Sequence, residues 1–257
     1  MTTMQNMLKD PDSTLVLSLA DDLLMLGHIQ GDWTGLGPIL EEDIASSSMS
    51  QDDLSHALVL YEHLGTRFEL DPDVIAYERD ARDYRCCDLV TIPDEFDWAT
   101  AFVRRWIMSH WAVLILDRLS MKDDQDLVER CRRLRAEQGL HLTYLDDWMR
   151  RLGTGTEEGH ERVQNALNLI GPVAGMVPEV PFHDIADDCD CCRGRDDLFS
   201  EWTTTMNRVL SDAGFSMELT LPAIDVIGAR RGEHASHFNS QHAEMTEVRC
   251  ADPGASW

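Results

Sequence analysis

Apolar residues recur at helical spacing along almost the whole chain, while proline and glycine gather at the joints between those runs. A chain patterned with a period near 3.6 buries its apolar stripes by packing helix on helix. The pattern therefore confines the fold to the all-α class, with 216–221 as the one short candidate for a strand or extended segment.

The runs predict eight helices. The first covers 13–30, with Leu15, Val16, Leu19, Leu23 and Leu26 on one side, and ends before the Thr34-Gly35-Leu36-Gly37-Pro38 break. Pro38 suits a first helical turn, and Glu41, Glu42 and Asp43 follow it near the positive end of the dipole, so a second helix should run from there to about 64 through the polar stretch 46–53. A shorter helix is expected over 73–85 and a fourth over 96–119, where Ala99, Val103, Trp106, His110 and Val113 form a stripe. From 125 to 151, Leu127, Cys131, Leu134, Gln138, His141, Leu145 and Trp148 keep the 4-3 spacing of a bundle seam, broken by two polar residues. The sixth helix opens after Gly153, shows His160, Val163, Leu167, Ile170 and Ala174 on one face, and ends near Gly171-Pro172 or slightly beyond. An acidic linker over 178–195 precedes two flanking helices, about 196–212 and 232–248. The expected organisation is one domain over 1–257: a four-helix bundle with the segment 196–257 packed around it.

Charge narrows the partners. Acidic residues outnumber basic ones 47 to 22, a formal net charge of −25. Such a chain lacks the basic face that nucleic acid requires and is disfavoured at an anionic membrane. No apolar run approaches the roughly 18 residues of a spanning helix, and the start carries no basic segment before an apolar one, so a cytoplasmic protein is expected. Only Lys9 and Lys122 accompany the arginines, a balance that suits a high-salt interior where screening relieves self-repulsion. The seven cysteines are an odd number and read as free thiols. Cys189, Cys191 and Cys192 crowd the acidic linker at a spacing that matches no standard zinc pattern, and a thiol or metal sensor is the minor reading there.

Common catalytic templates are missing: there is no Gly-x-Gly-x-x-Gly, no phosphate-binding Gly-x-x-x-x-Gly-Lys and no Gly-x-Ser-x-Gly. A bundle that holds two metals draws a lone Glu from each of two helices and a Glu-x-x-His from each of the other two, since the i to i+3 spacing points both side chains inward. Glu41 or Glu42 could supply a lone carboxylate on the second helix, or both could simply decorate its N-terminus. Glu157 and His160 form a Glu-x-x-His, although Thr154-x-x-Glu157 also reads as a capping box. Glu137 and His141 stand at i to i+4 and could equally form a buried pair. The fourth helix contains no Glu-x-x-His, so two of six ligands are missing and tight binding of two irons is not expected. His234, His237 and His242, near Glu233 and Glu244, could bind metal but read more readily as a polar face or interface patch.

Several ordered segments together resemble the phenylacetic acid catabolic protein family: Gly37-Pro38-Ile39-Leu40-Glu41-Glu42-Asp43-Ile44-Ala45, the stretch Tyr77-Glu78-Arg79-Asp80-Ala81-Arg82-Asp83-Tyr84, then Arg151 to His160, Gln164-Asn165-Ala166-Leu167, Gly232-Glu233-His234 with His237, Ala243-Glu244-Met245, and the terminal Pro253-Gly254-Ala255-Ser256-Trp257. The resemblance spans nearly the whole chain and is weakest over 178–195. It implies a ferritin-like fold and a part in a multicomponent oxygenase that converts phenylacetyl-CoA to a ring 1,2-epoxide. In that system an A-type subunit holds the di-iron centre, and a reductase with flavin and an iron–sulfur cluster supplies electrons from NADPH. A related C-type subunit, which this chain resembles most, serves as structural partner.

The family's fourth-helix carboxylate and histidine fall on Ser109 and Ala112, so the resemblance implies a degenerate site whose remnants are Glu41, Glu137, His141, Glu157 and His160. No catalytic residue, metal or cofactor is then expected in this chain. Its partner would be the di-iron A-type subunit, or a second copy of itself. Trp98, Trp106 and Trp202 are interface candidates, with core packing as the default for each. The alternative is a divergent metal-dependent oxygenase that acts on an aromatic CoA thioester itself, using the same five residues around one metal or an asymmetric pair.

Overall fold

The computed structural model describes residues 3–93, 95, 97–179, 195–222 and 228–252. Among these residues the regular structure is helical and contains no strand, as the apolar spacing requires. The chain divides into two compact units.

The first unit holds α1 (Thr3–Met7), α2 (Pro11–Gly31), α3 (Leu40–Phe68), α4 (Pro72–Tyr77) and α9 (Ser236–Ala251), with short 3₁₀ turns at Ala81–Asp83, Asp88–Thr91 and Ala229–Arg231. Asp10 caps α2 by accepting from the Ser13 N–H at 3.1 Å, and Pro11 takes the first turn, where its missing N–H costs nothing. Nearly every residue from Ser13 to Gln30 is buried, so α2 is a core helix rather than an amphipathic one. A Cβ on Gly27 would lie 2.9 Å from the Ser50 carbonyl oxygen, and this glycine lets the α2 and α3 backbones come together. Helix α3 starts two residues after Pro38, because Asp43 accepts from the N–H groups of Gly35 and Gly37 and fastens the preceding turn. The helix expected over 73–85 stops at Tyr77. Beyond it, Arg79 and the backbone to Arg85 are drawn to an acidic residue of α2, and those bonds replace the helical ladder.

The second unit holds α5 (Trp98–Leu119), α6 (Gln125–Gly153), α7 (Glu157–Ala174) and α8 (Arg195–Ala213). Asp97, Asp124 and Thr156 each accept a backbone N–H at the N-termini of α5, α6 and α7. Thr156 rather than Thr154 therefore caps α7; Thr154 donates to the Arg150 carbonyl instead. Helix α7 continues past Pro172 to Ala174.

The segment 216–221 is extended, but its partner is a helix. The Gln164 side chain donates to the Ser216 carbonyl at 2.8 Å and accepts from the Ser216 N–H at 3.1 Å, as a neighbouring strand would. Gly171 and Gly175 admit the same segment against α7: a Cβ at Gly175 would stand 2.0 Å from the Thr220 carbonyl oxygen.

Candidate functional site

The predicted seam of α6 faces inward, since Leu127, Cys131, Leu134, Gln138 and Leu145 are buried. Glu137, one position before Gln138, is exposed, and His141 is half-buried. On α7, Glu157 occupies the exposed first turn. His160 is half-buried, and its use is structural: Nδ1 lies 3.1 Å from the Gly153 carbonyl and the ring stacks on Phe215 with centroids 4.5 Å apart. Ser109 and Ala112 are both buried on α5. In the first unit Glu41 is exposed, and its neighbour Glu42 is the one that turns inward.

Glu137 and Glu157 are thus directed to solvent, while the α5 positions carry a hydroxyl and a methyl. Among the described residues no three His, Cys, Asp or Glu side chains come together as a metal cluster. Carboxylate ligands must be inward-facing and convergent to hold a di-iron centre, and Glu137 and Glu157 do not fit that group.

Aspartate Asp146 of α6, which the pattern does not single out, does face α5. Its Oδ1 accepts from Trp106 Nε1 at 2.8 Å and lies 3.1 Å from His110 Nε2; Thr205 Oγ1 of α8 stands 3.3 Å from the other ring nitrogen of His110. The histidine of the predicted α5 stripe is therefore fixed from both nitrogens. Trp106 and Trp202 are core residues at 0% and 1% exposure, which removes them from the interface candidates. Trp98 is half-buried, stacked on Phe102 and edge-on to Trp148.

The first unit buries a larger set of charges. Asp21 and Asp22 sit in the middle of α2 at 0% and 1% exposure. Asp21 meets the Arg79 guanidinium as a fork, at 2.9 and 2.5 Å, and also accepts from Tyr61 Oη at 2.6 Å and the Arg85 N–H at 2.6 Å. Asp22 accepts from Arg230 at 2.7 Å and the Cys87 N–H at 2.8 Å. Arg230 further donates to Ser18, which passes the link to the Arg85 carbonyl at 3.0 Å. These contacts pin the chain from Arg79 to Cys87 and the turn at Arg230 onto α2.

Burial pushes the Asp22 carboxyl up, opposed by the Arg230 charge. The Tyr61 hydroxyl is pushed well up by burial and by the Asp21 charge. The thiols of Cys86 and Cys87 are pushed up by burial as well, which keeps them protonated and inert. The sequence signal for this cluster is an Asp-Asp pair inside an apolar helix, a placement too costly to stand unless each charge is paired.

Of the three C-terminal histidines, His234 and His242 serve the same segment. Their Nε2 atoms lie 3.2 Å from the Tyr84 carbonyl and 3.3 Å from the Arg79 carbonyl, and the Phe238 ring stacks with both. Burial lowers the pKa of each, so both rings favour the neutral form. His237 is half-buried on α9. Cys189, Cys191 and Cys192 lie outside the described residues, as does the end of the resemblance at 253–257.

Comparison with known proteins completes the description. The model of the family described as phenylacetic acid catabolic protein matches residues 1–257. The chain is also 26% identical over 245 residues to the C-type subunit of 1,2-phenylacetyl-CoA epoxidase from Escherichia coli (strain K12), covering 94% of this chain and 97% of that one. The matches accord with the all-α, ferritin-like class expected from the sequence.

Proposed function

The chain belongs to the phenylacetic acid catabolic protein family, and from that premise we propose that it is a non-catalytic structural subunit of a multicomponent phenylacetyl-CoA 1,2-epoxidase, acting in aerobic phenylacetate degradation. The observation that carries this reading is the direction of the carboxylates: Glu137 and Glu157 point to solvent, and Ser109 and Ala112 occupy the buried α5 positions. The relative supports membership in a complex, since it is itself one subunit of an epoxidase and so implies others.

A subunit without its own chemistry contributes by burying a face of the catalytic subunit and holding that subunit's helices in register. Such an obligate interface covers on the order of 2,000 Å² or more and is rich in apolar side chains. Helix α3 offers a starting surface, because Leu40, Ile44, Leu54 and Leu58 share one helical face and all four are exposed. The di-iron centre and the electron-transfer groups belong, on this reading, to the partner chains. No helix among the described residues is long and apolar enough to cross a membrane, and we place the complex in the cytoplasm.

The test is reconstitution with the A-type subunit and its reductase. We expect a stable complex of the two subunits on gel filtration, with phenylacetyl-CoA oxidised by the complex and not by this chain with reductase alone. Oxidation by this chain without the A-type subunit would replace the structural reading by the oxygenase one.

A further inference from the structure

We propose that a cavity of about 270 Å³ beside α3 in the first unit seats an apolar side chain from a basic amphipathic helix of a partner protein. The proposal rests on the reading above, in which this chain acts by docking to another subunit. It adds where the contact is anchored and what chemistry the partner brings.

The wall selects a hydrocarbon guest. Leu24 of α2, Leu54, Ala57 and Leu58 of α3, and Ala76 of α4 line the cavity. Two of its hydroxyls are already committed: Ser55 donates to the Gln51 carbonyl at 2.9 Å, and Tyr61 to Asp21 at 2.6 Å. A cavity of about 150 Å³ already holds benzene, so this one has room for a leucine or an aromatic side chain.

Two features select a protein over a free small molecule. Leu54 and Leu58 stand one helical turn apart at the cavity and stay exposed. A small guest leaves their outer surfaces in water, whereas a helix laid along α3 covers them while sending one side chain inward. Charge is the second feature. Between residues 40 and 77 there are nine acidic residues and one basic, Arg67, which is bridged to Asp10 at 3.3 Å. Asp73 is exposed at the same cavity. The matching surface is therefore cationic, with arginine or lysine one turn from the apolar anchor. A second copy of this chain, at a net charge of −25, is disfavoured on this face.

Binding of the full chain to the A-type subunit, followed by biolayer interferometry with circular dichroism as the check on folding, tests the assignment. We expect Leu54→Ser and Leu58→Ser together to weaken the complex at least about tenfold. Asp73→Asn should weaken it about threefold at low salt and less at high salt. Leu169→Ser, at an exposed leucine of α7, should leave the affinity unchanged. An unchanged affinity in the double variant, or an equal loss from Leu169→Ser, overturns the anchor while the complex itself keeps the structural reading standing. Loss of self-association in the double variant, with binding to the A-type subunit intact, overturns the choice of partner in favour of a second copy. Failure of the parent chain to form the complex at all overturns the structural reading and this proposal with it.

Discussion

On α2, Asp21 and Asp22 lie inside the first unit and each meets an arginine; on α6 and α7 of the second unit, Glu137 and Glu157 lie in solvent. Both regions place carboxylates on long helices, and the difference is whether the carboxylate is buried. The aspartates hold the chain around Arg79 and Arg230 in place, so their burial is compensated by the fold itself. The glutamates are exposed, so water solvates their charge and no burial cost has to be offset. The first region uses buried charge as an anchor, whereas Glu137 and Glu157 keep their charge in solvent.

The largest effect should come from breaking the anchor. Asp21→Ala leaves the Arg79 guanidinium, with 0% side-chain exposure, without its carboxylate, and a loss of about 3–5 kcal/mol in unfolding free energy is expected. Denaturant titration measures it; a loss below about 1 kcal/mol would mean that the pair behaves as a surface ion pair and the contrast fails. Next in size is Gly175→Ala. Its Cβ would meet the Thr220 carbonyl at 2.0 Å, and about 1–3 kcal/mol should be lost.

A pH titration sharpens the first region further. His234 and His242 have folded pKa values below their ordinary 6.5, chiefly through burial. The unfolded chain therefore takes up protons first as pH falls, and stability present above about pH 6.5 is lost as pH drops through the folded values. Replacing both by Gln should flatten this dependence; an unchanged acid slope would show that neither ring contributes to it. The smallest effect belongs to the second region, where Glu137→Gln and Glu157→Gln should each stay within about 0.5 kcal/mol of the parent. A loss of several kcal/mol from either would reveal an inward role that the exposed geometry denies.

Much of this was legible in the sequence. The period of the apolar residues gives the helical class, and the α6 seam from Leu127 to Leu145 is buried as its 4-3 spacing implies. The long helices begin and end close to their Asp, Pro and Gly signals. Less legible were the features that depend on distant residues. The helix expected to reach Arg85 ends at Tyr77 because Asp21 competes for Arg79, a contact across 58 positions. The segment at 216–221 shows strand-like composition, but its partner is the side chain of Gln164, and no periodicity reports that. Asp146 gave no signal, lying beside the α6 seam rather than on it, while His110 was visible only as a polar residue on an apolar stripe. The Asp21-Asp22 pair did give one, since two acids within the run from Leu15 to Leu26 imply buried cations elsewhere in the chain.

Iron content of the purified full chain, expressed with iron supplementation, tests the central claim most directly. With Glu137 and Glu157 in solvent, and Ser109 and Ala112 on α5, the account predicts essentially no bound iron. About two irons per chain, the complement of a di-metal bundle, would contradict it and assign the chemistry to this subunit.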